Sequence, residues 1–217
     1  MNLKTLSLLA LTHCVVLTSF SKEIQSDSSV NPLKKYAAIW ADHKYDSYNT
    51  ASTANYLSLE EKNVLWVLNM ARAFPQQFLN TVVLNPKSEY YVKPEKRNHY
   101  FISLMTSLKK MNPILIPLTP DSTAFISARC HAIQSGIDGS IGHDRSRSGC
   151  TKNFEGECCD YGNDNAVDIL LNLLVDDGIP GVGHRLICLS TSYTKIGISI
   201  QPHKVYEVNT VMDFKWR

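Results

Sequence analysis

The sequence predicts an α+β domain in which helices pack on a small, mainly antiparallel sheet. Three observations carry this. Apolar residues recur at helical spacing in four stretches between Leu59 and Val175. Two later stretches alternate apolar and polar residues around a short polar turn. Helices that precede a terminal strand pair read as α+β rather than as alternating βαβ units.

The elements follow in order. Leu59 to Asn80 places Val64, Leu65, Leu68, Ala71 and Phe78 on one helix face, with Ser58 as N-cap and Glu61 completing a capping box. Tyr100 to Lys110 repeats the pattern with Phe101, Leu104, Met105 and Leu108, and the prolines from Pro113 to Pro120 end it. A third helix is predicted from Asp121 to Ser135, with Ala124, Ala128, His131 and Ala132 on one face. A fourth runs from Asn163 to Val175 on Val167, Leu170, Leu171 and Leu174. Lys195 to Ile200 and Lys204 to Phe214 read as strands, with Gln201-Pro202-His203 as the hairpin turn.

A chain of 217 residues, 44% hydrophobic and 19% charged, suffices for one folded domain, placed at residues 57–217 and expected as a monomer. The formal net charge of +2 argues against nucleic acid, since Lys93, Lys96 and Arg97 are interleaved with Glu95 instead of forming a stripe.

Residues 1–21 read as a signal peptide. Lys4 supplies the positive end, Leu6 to Leu17 an apolar run too short to span a membrane comfortably, and Ser19-Phe20-Ser21 the small residues of a cleavage point. A secreted, extracellular or periplasmic protein without a transmembrane segment is therefore expected, beginning near Lys22. Cys14 is a poor lipidation site, because His13 stands where a small residue is wanted. Residues 22–56, rich in Ser, Asn, Asp and Tyr, read as a tether or an arm laid across the domain.

Without Cys14 five cysteines remain, so at least one is unpaired. A Cys158–Cys159 bond would strain the peptide between them, which favours one of the two closing a loop with Cys150. Cys130 with Cys188 is the other expected pair.

The chemistry gathers in three segments. Asp176-Asp177-Gly178-Ile179-Pro180-Gly181-Val182-Gly183-His184-Arg185 follows the fourth helix, while Gly142-His143 and Gly156-Glu157 place a second imidazole and a carboxylate after glycines. Two imidazoles and two carboxylates in one polar cleft can bind a divalent metal or do acid/base work. No H-x-x-x-H spacing links the histidines, so their pairing rests on the fold. His99, His131 and His203 are read as structural.

These segments, together with Leu68-Asn69-Met70-Ala71-Arg72-Ala73-Phe74-Pro75-Gln76-Gln77-Phe78, carry a resemblance to a known family. Over roughly residues 57–214 the chain resembles the CAP superfamily of cysteine-rich secretory proteins, antigen 5 and pathogenesis-related-1 proteins, in its bacterial-type, SCP-like form. Asn69, Arg72, Pro75 and Phe78 stand in the register of the family's first-helix signature. The resemblance implies an α-β-α sandwich in which His143 and His184 line a central cavity and can hold Zn2+ or another divalent cation. Glu157 matches the glutamate of the family's Gly-Glu-Asn motif, with Cys158 in place of the asparagine, and would orient an imidazole. Where many members have a second glutamate this chain has Asp176-Asp177, and Asp177 is the expected counterpart. Both aspartates also suit an ordinary helix end, with Arg185 as ion-pair partner.

Three functions are open. The first is a secreted CAP-type protein that binds a protein partner or a lipid or sterol. Tyr90, Tyr91, Tyr100 and Phe101 around a Pro- and Lys-containing loop suit an apolar ligand or a membrane surface. The alternative is a metal-dependent, peptidase-like hydrolase with Glu157 and Asp177 as catalytic residues, although the sequence carries neither G-x-S-x-G nor HExxH. The third is a structural zinc module drawing on Cys130-His131, Cys150, Cys158-Cys159, His184 and Cys188.

Overall fold

The computed structural model describes residues 30–85, 87, 97–146 and 149–216. The expected signal peptide of residues 1–21, the expected tether up to residue 29, Tyr90 and Tyr91 fall outside them.

Helix α1 (Leu59–Ala73) starts on the expected capping box. Ser58 Oγ accepts from Glu61 N at 3.3 Å, and Glu61 Oε2 accepts from Ser58 N at 2.7 Å. The helix does not run to Asn80. Pro75 has no N–H to continue the ladder, so α1 stops at Ala73, a short α2 (Pro75–Phe78) restarts the chain, and a π turn covers Leu79–Val83. Helix α3 (His99–Lys110) is capped by Asn98, and α4 (Ser122–Asp138) by Asp121, whose Oδ1 accepts from Thr123 N and Ala124 N. Helix α5 (Ala166–Val175) begins later than expected because Asn165, not Asn163, is its cap. A short α6 (Gly183–Cys188) follows.

The sheet has four strands in the order β1 (Thr119–Pro120), β3 (Lys195–His203), β4 (Glu207–Lys215), β2 (Gly156–Tyr161). The β1–β3 pair is parallel and the other two are antiparallel. The hairpin turn lies at residues 204–206, after the predicted one. Pro202 stays in strand, paired with Val208, and His203 Nδ1 accepts from Val205 N and Tyr206 N, so an imidazole shapes the turn.

The sheet lies between helices. Cys158, Ile196, Ile198, Met212 and Phe214 enter the main core with residues of α1, α3, α5 and α6. Cys159 and Val211 enter a smaller cluster with Ala128 and Ala132 of α4. Contact between α4 and β3 is close enough to demand glycine: a Cβ on Gly197 would lie 2.0 Å from Phe125 N. Residues 30–56, read above as a tether or an arm, form successive 3-10 turns that bury Leu33, Trp40 and Tyr45 completely in the main core. Asn69 and Arg72 of α1 fasten remote segments. Asn69 exchanges hydrogen bonds with Leu118, and Arg72 Nη1 donates to Cys188 O and Ser190 O.

Two corrections follow. The disulfide joins Cys130 to Cys150, and neither Cys158 nor Cys159 closes a loop with Cys150. Cys158 and Cys159 lie on a sheet strand whose side chains enter the two separate clusters, away from Cys150, and Cys130 sits on α4 across the sheet from Cys188. Phe101, expected in a ligand-facing aromatic group, is a 3% exposed core residue, and Tyr100 packs on the same core. Among the described residues no helix is long and apolar enough to cross a membrane.

Candidate functional site

β2 forms one edge of the sheet, and a cleft of about 540 Å³ lies beside it. His143, Glu157, Cys159, Asp176, Asp177 and His184 supply its polar lining, and Ile141, Leu173, Ile179 and Ile187 its apolar part. The distant segments singled out in the sequence therefore meet. The rings of His143 and His184 stand 5.5 Å apart, centre to centre.

His143 follows Gly142, whose φ of +90° suits glycine. Three contacts fix that turn. Gly142 N donates to Tyr161 Oη at 2.8 Å, and Gly142 O accepts from His131 Nε2 at 2.9 Å and from the Cys159 thiol at 3.6 Å. His131 thus anchors the turn that carries His143, and His203 Nε2 donates to Ser140 O. His143 Nδ1 then meets Glu157 Oε1 at 2.9 Å. A carboxylate can only accept, so Nδ1 carries a proton, and in the neutral imidazole Nε2 is the nitrogen with the lone pair.

His184 is arranged the same way by a different carboxylate. Asp176 ends α5 with a left-handed backbone, φ 56°, and accepts from His184 Nδ1 at 2.8 Å and His184 N at 2.9 Å. The structure therefore places Asp176, not Asp177, against the imidazole. Asp177 lines the cleft and accepts from Asn98 Nδ2 at 2.8 Å. Arg185 pairs with neither: its guanidinium donates to Leu174 O, Val175 O, Tyr100 O and Ser103 Oγ, capping the carbonyl end of α5.

Beneath His143 lies a buried ionic group that the sequence reading missed. Arg145 donates to Glu157 Oε2, to both oxygens of Asp213 at 3.1 Å, and to Ser127 O and Oγ. Asp213 also accepts from Ser127 Oγ at 2.6 Å. Burial pushes the Glu157 carboxyl up, but the hydrogen bonds from His143 and Arg145 outweigh it and hold the group below its ordinary value. Asp213 is pushed up to about 7, first by burial and also by the charge of Glu157. One available signal was Asp213 itself, a charge among the alternating apolar residues of a predicted strand. Arg145 follows no pattern in the sequence.

Among the described residues, His131, Glu157 and Cys159 bring one ligand atom each within 4.8 Å of one another, a group that could hold a metal ion. His131 Nδ1 is buried there without a hydrogen-bond partner. Two features weaken this trio as a metal site. Both Glu157 oxygens are already engaged, and burial pushes the Cys159 thiol well up, away from the thiolate a metal requires.

No protein-family model matches the chain, and neither a curated protein nor a solved structure matches it.

Proposed function

We propose that this chain is a secreted, CAP-type binding protein whose cleft takes a divalent cation such as zinc between His143 and His184 and a small, partly apolar ligand or a partner segment beside it. The observation that carries the metal assignment is the pair of imidazoles facing each other at 5.5 Å, each held at Nδ1 by its own buried carboxylate. Carboxylates on the far nitrogen orient metal-binding histidines and raise their basicity, and zinc bonds imidazole nitrogen at about 2 Å. Neither Nε2 has a hydrogen-bond partner among the described residues. Binding is favoured over hydrolysis because Glu157, the candidate general base, has one oxygen on His143 and the other on Arg145. It serves better to hold an imidazole than to accept a proton from water.

Ile141, Leu173, Ile179 and Ile187 beside the polar end make a site for an amphipathic molecule such as a lipid or sterol. Export is supported by the Cys130–Cys150 bond, which belongs to an oxidising compartment. The family assignment rests on the sequence motifs and on their meeting in one cleft. Zinc calorimetry on the chain from Lys22 tests the metal site. His143→Ala and His184→Ala should each abolish binding, and Cys159→Ser should leave it intact. Zinc held equally well by both histidine variants, or not bound at all, would overturn the assignment, and loss with Cys159→Ser alone would move the ion to the inner trio.

A further inference from the structure

We infer that Cys158 and Cys188 are the partners of a second disulfide, which fastens the strand carrying Glu157 to the helix carrying His184. The two Sγ atoms are 3.9 Å apart, and both residues are fully buried in the main core. Cys158 adjoins Glu157 on β2, and Cys188 ends α6 one helical turn after His184. The Cys158 thiol also reaches His184 O at 3.7 Å, so strand and helix already meet at this point.

Closing the bond brings the sulfurs from contact to about 2 Å. Competition from Cys159 is removed by the strand itself. Neighbouring side chains on a strand point to opposite faces, and Cys159 faces Gly142 and His143 in the other cluster. Cys159 is then the odd cysteine. A domain that already contains the Cys130–Cys150 bond meets the redox condition for a second one.

The oxidation balances simply. Each thiol gives up one proton and one electron, and one S–S bond replaces two S–H bonds. The electron pair reduces the disulfide of an exchange partner, either oxidised glutathione or a thiol–disulfide oxidoreductase, to two thiols. Both residues are enclosed in the folded domain, so exchange takes place on the folding chain before α6 docks. The bond makes the two walls of the cleft one rigid body, whether or not a metal occupies it.

Peptide mapping of the chain from Lys22, folded in a glutathione redox buffer and alkylated without reduction, tests this. Trypsin should release residues 153–185 and 186–195 as one disulfide-linked pair. The link should persist in Cys159→Ala and vanish in Cys158→Ala, with fragmentation of the linked wild-type pair locating the sulfur if a variant does not fold. Alkylated Cys188 in protein whose Cys130–Cys150 bond is complete, or a link through Cys159, would overturn the inference. Backbone amides of residues 183–188 should exchange roughly tenfold more slowly in the oxidised wild type than in Cys158→Ser/Cys188→Ser. Equal exchange would remove the claim that the bond stiffens the cleft.

Discussion

Glu157 and Asp213 are directly opposed in the β2–β4 ladder, and both accept hydrogen bonds from the same Arg145 nitrogen. Like charges in that position repel. One guanidinium can neutralise one of them, which leaves the other to take up a proton near neutral pH. Glu157 keeps the charge because it also holds His143. A buried ionic group and a cleft histidine are thereby linked through one side chain.

Arg145→Met should leave two carboxylates buried without their cation and cost about 3–5 kcal/mol. Asp213→Asn in the same chain should recover part of that loss. Urea denaturation gives both numbers. A cost below about 1 kcal/mol, the scale of an exposed ion pair, would mean that the group is not closed to water as described.

Stability should rise as pH falls from 8 to 6.5. Asp160 and Asp213 are both pushed up to about 7, chiefly by burial, so the folded state binds protons that the unfolded chain, with carboxyls near 3.8, does not. The gain should be about 1–2 kcal/mol across that window, and Asp160→Asn should remove roughly half of it. Below pH 6.5 His131, held down by burial, begins to act the other way. Glu157 does so below about pH 4.5, because the contribution of a depressed carboxyl is complete above its unfolded value and is lost as pH falls through the folded one. A urea midpoint that is flat or falling from pH 8 to 6.5 would contradict this.

The two neighbouring aspartates should separate in zinc titrations. Asp176→Asn replaces the acceptor on His184 Nδ1 and should weaken binding about 10–100-fold, the usual effect of losing such a partner. Asp177→Asn, which loses only a contact to Asn98, should change it little. The reverse order would restore Asp177 as the cleft carboxylate.

Gly197→Ala places a methyl 2.0 Å from Phe125 N and 2.1 Å from the Ala124 carbonyl carbon, both backbone atoms of α4. The helix would have to lift off the sheet, so the cost should reach or exceed the upper end of the usual overpacking range of about 1–3 kcal/mol. A thermal melt within error of the wild type would show that the helix yields more readily than its packing implies.

The sequence by itself determined the elements whose signals are local. The Ser58–Glu61 capping box, the apolar faces of α1, α3, α4 and α5, and a terminal strand pair depend on residues within a few positions of one another, and each forms within the stretch its pattern marks, although Pro75 ends α1 early, Asn165 starts α5 late and the hairpin turn moves to residues 204–206. His143, Glu157 and His184 were singled out by their glycine-flanked segments together with the resemblance to the CAP superfamily, since no spacing links the two histidines, and all three line one cleft. Tertiary structure decided the rest. Whether Asp176 or Asp177 meets His184 depends on the left-handed turn that ends α5, and Cys130 pairs with Cys150 because α4 and the following loop pack on the opposite face of the sheet from Cys188. Strand β2 escaped notice because Gly156–Tyr161 has a buried polar side chain on each face, Glu157 on one and Asp160 on the other, so its hydrophobic alternation is masked. Arg145 gains its meaning only beside two carboxylates brought together from separate strands, an electrostatic need that arises once the sheet has paired.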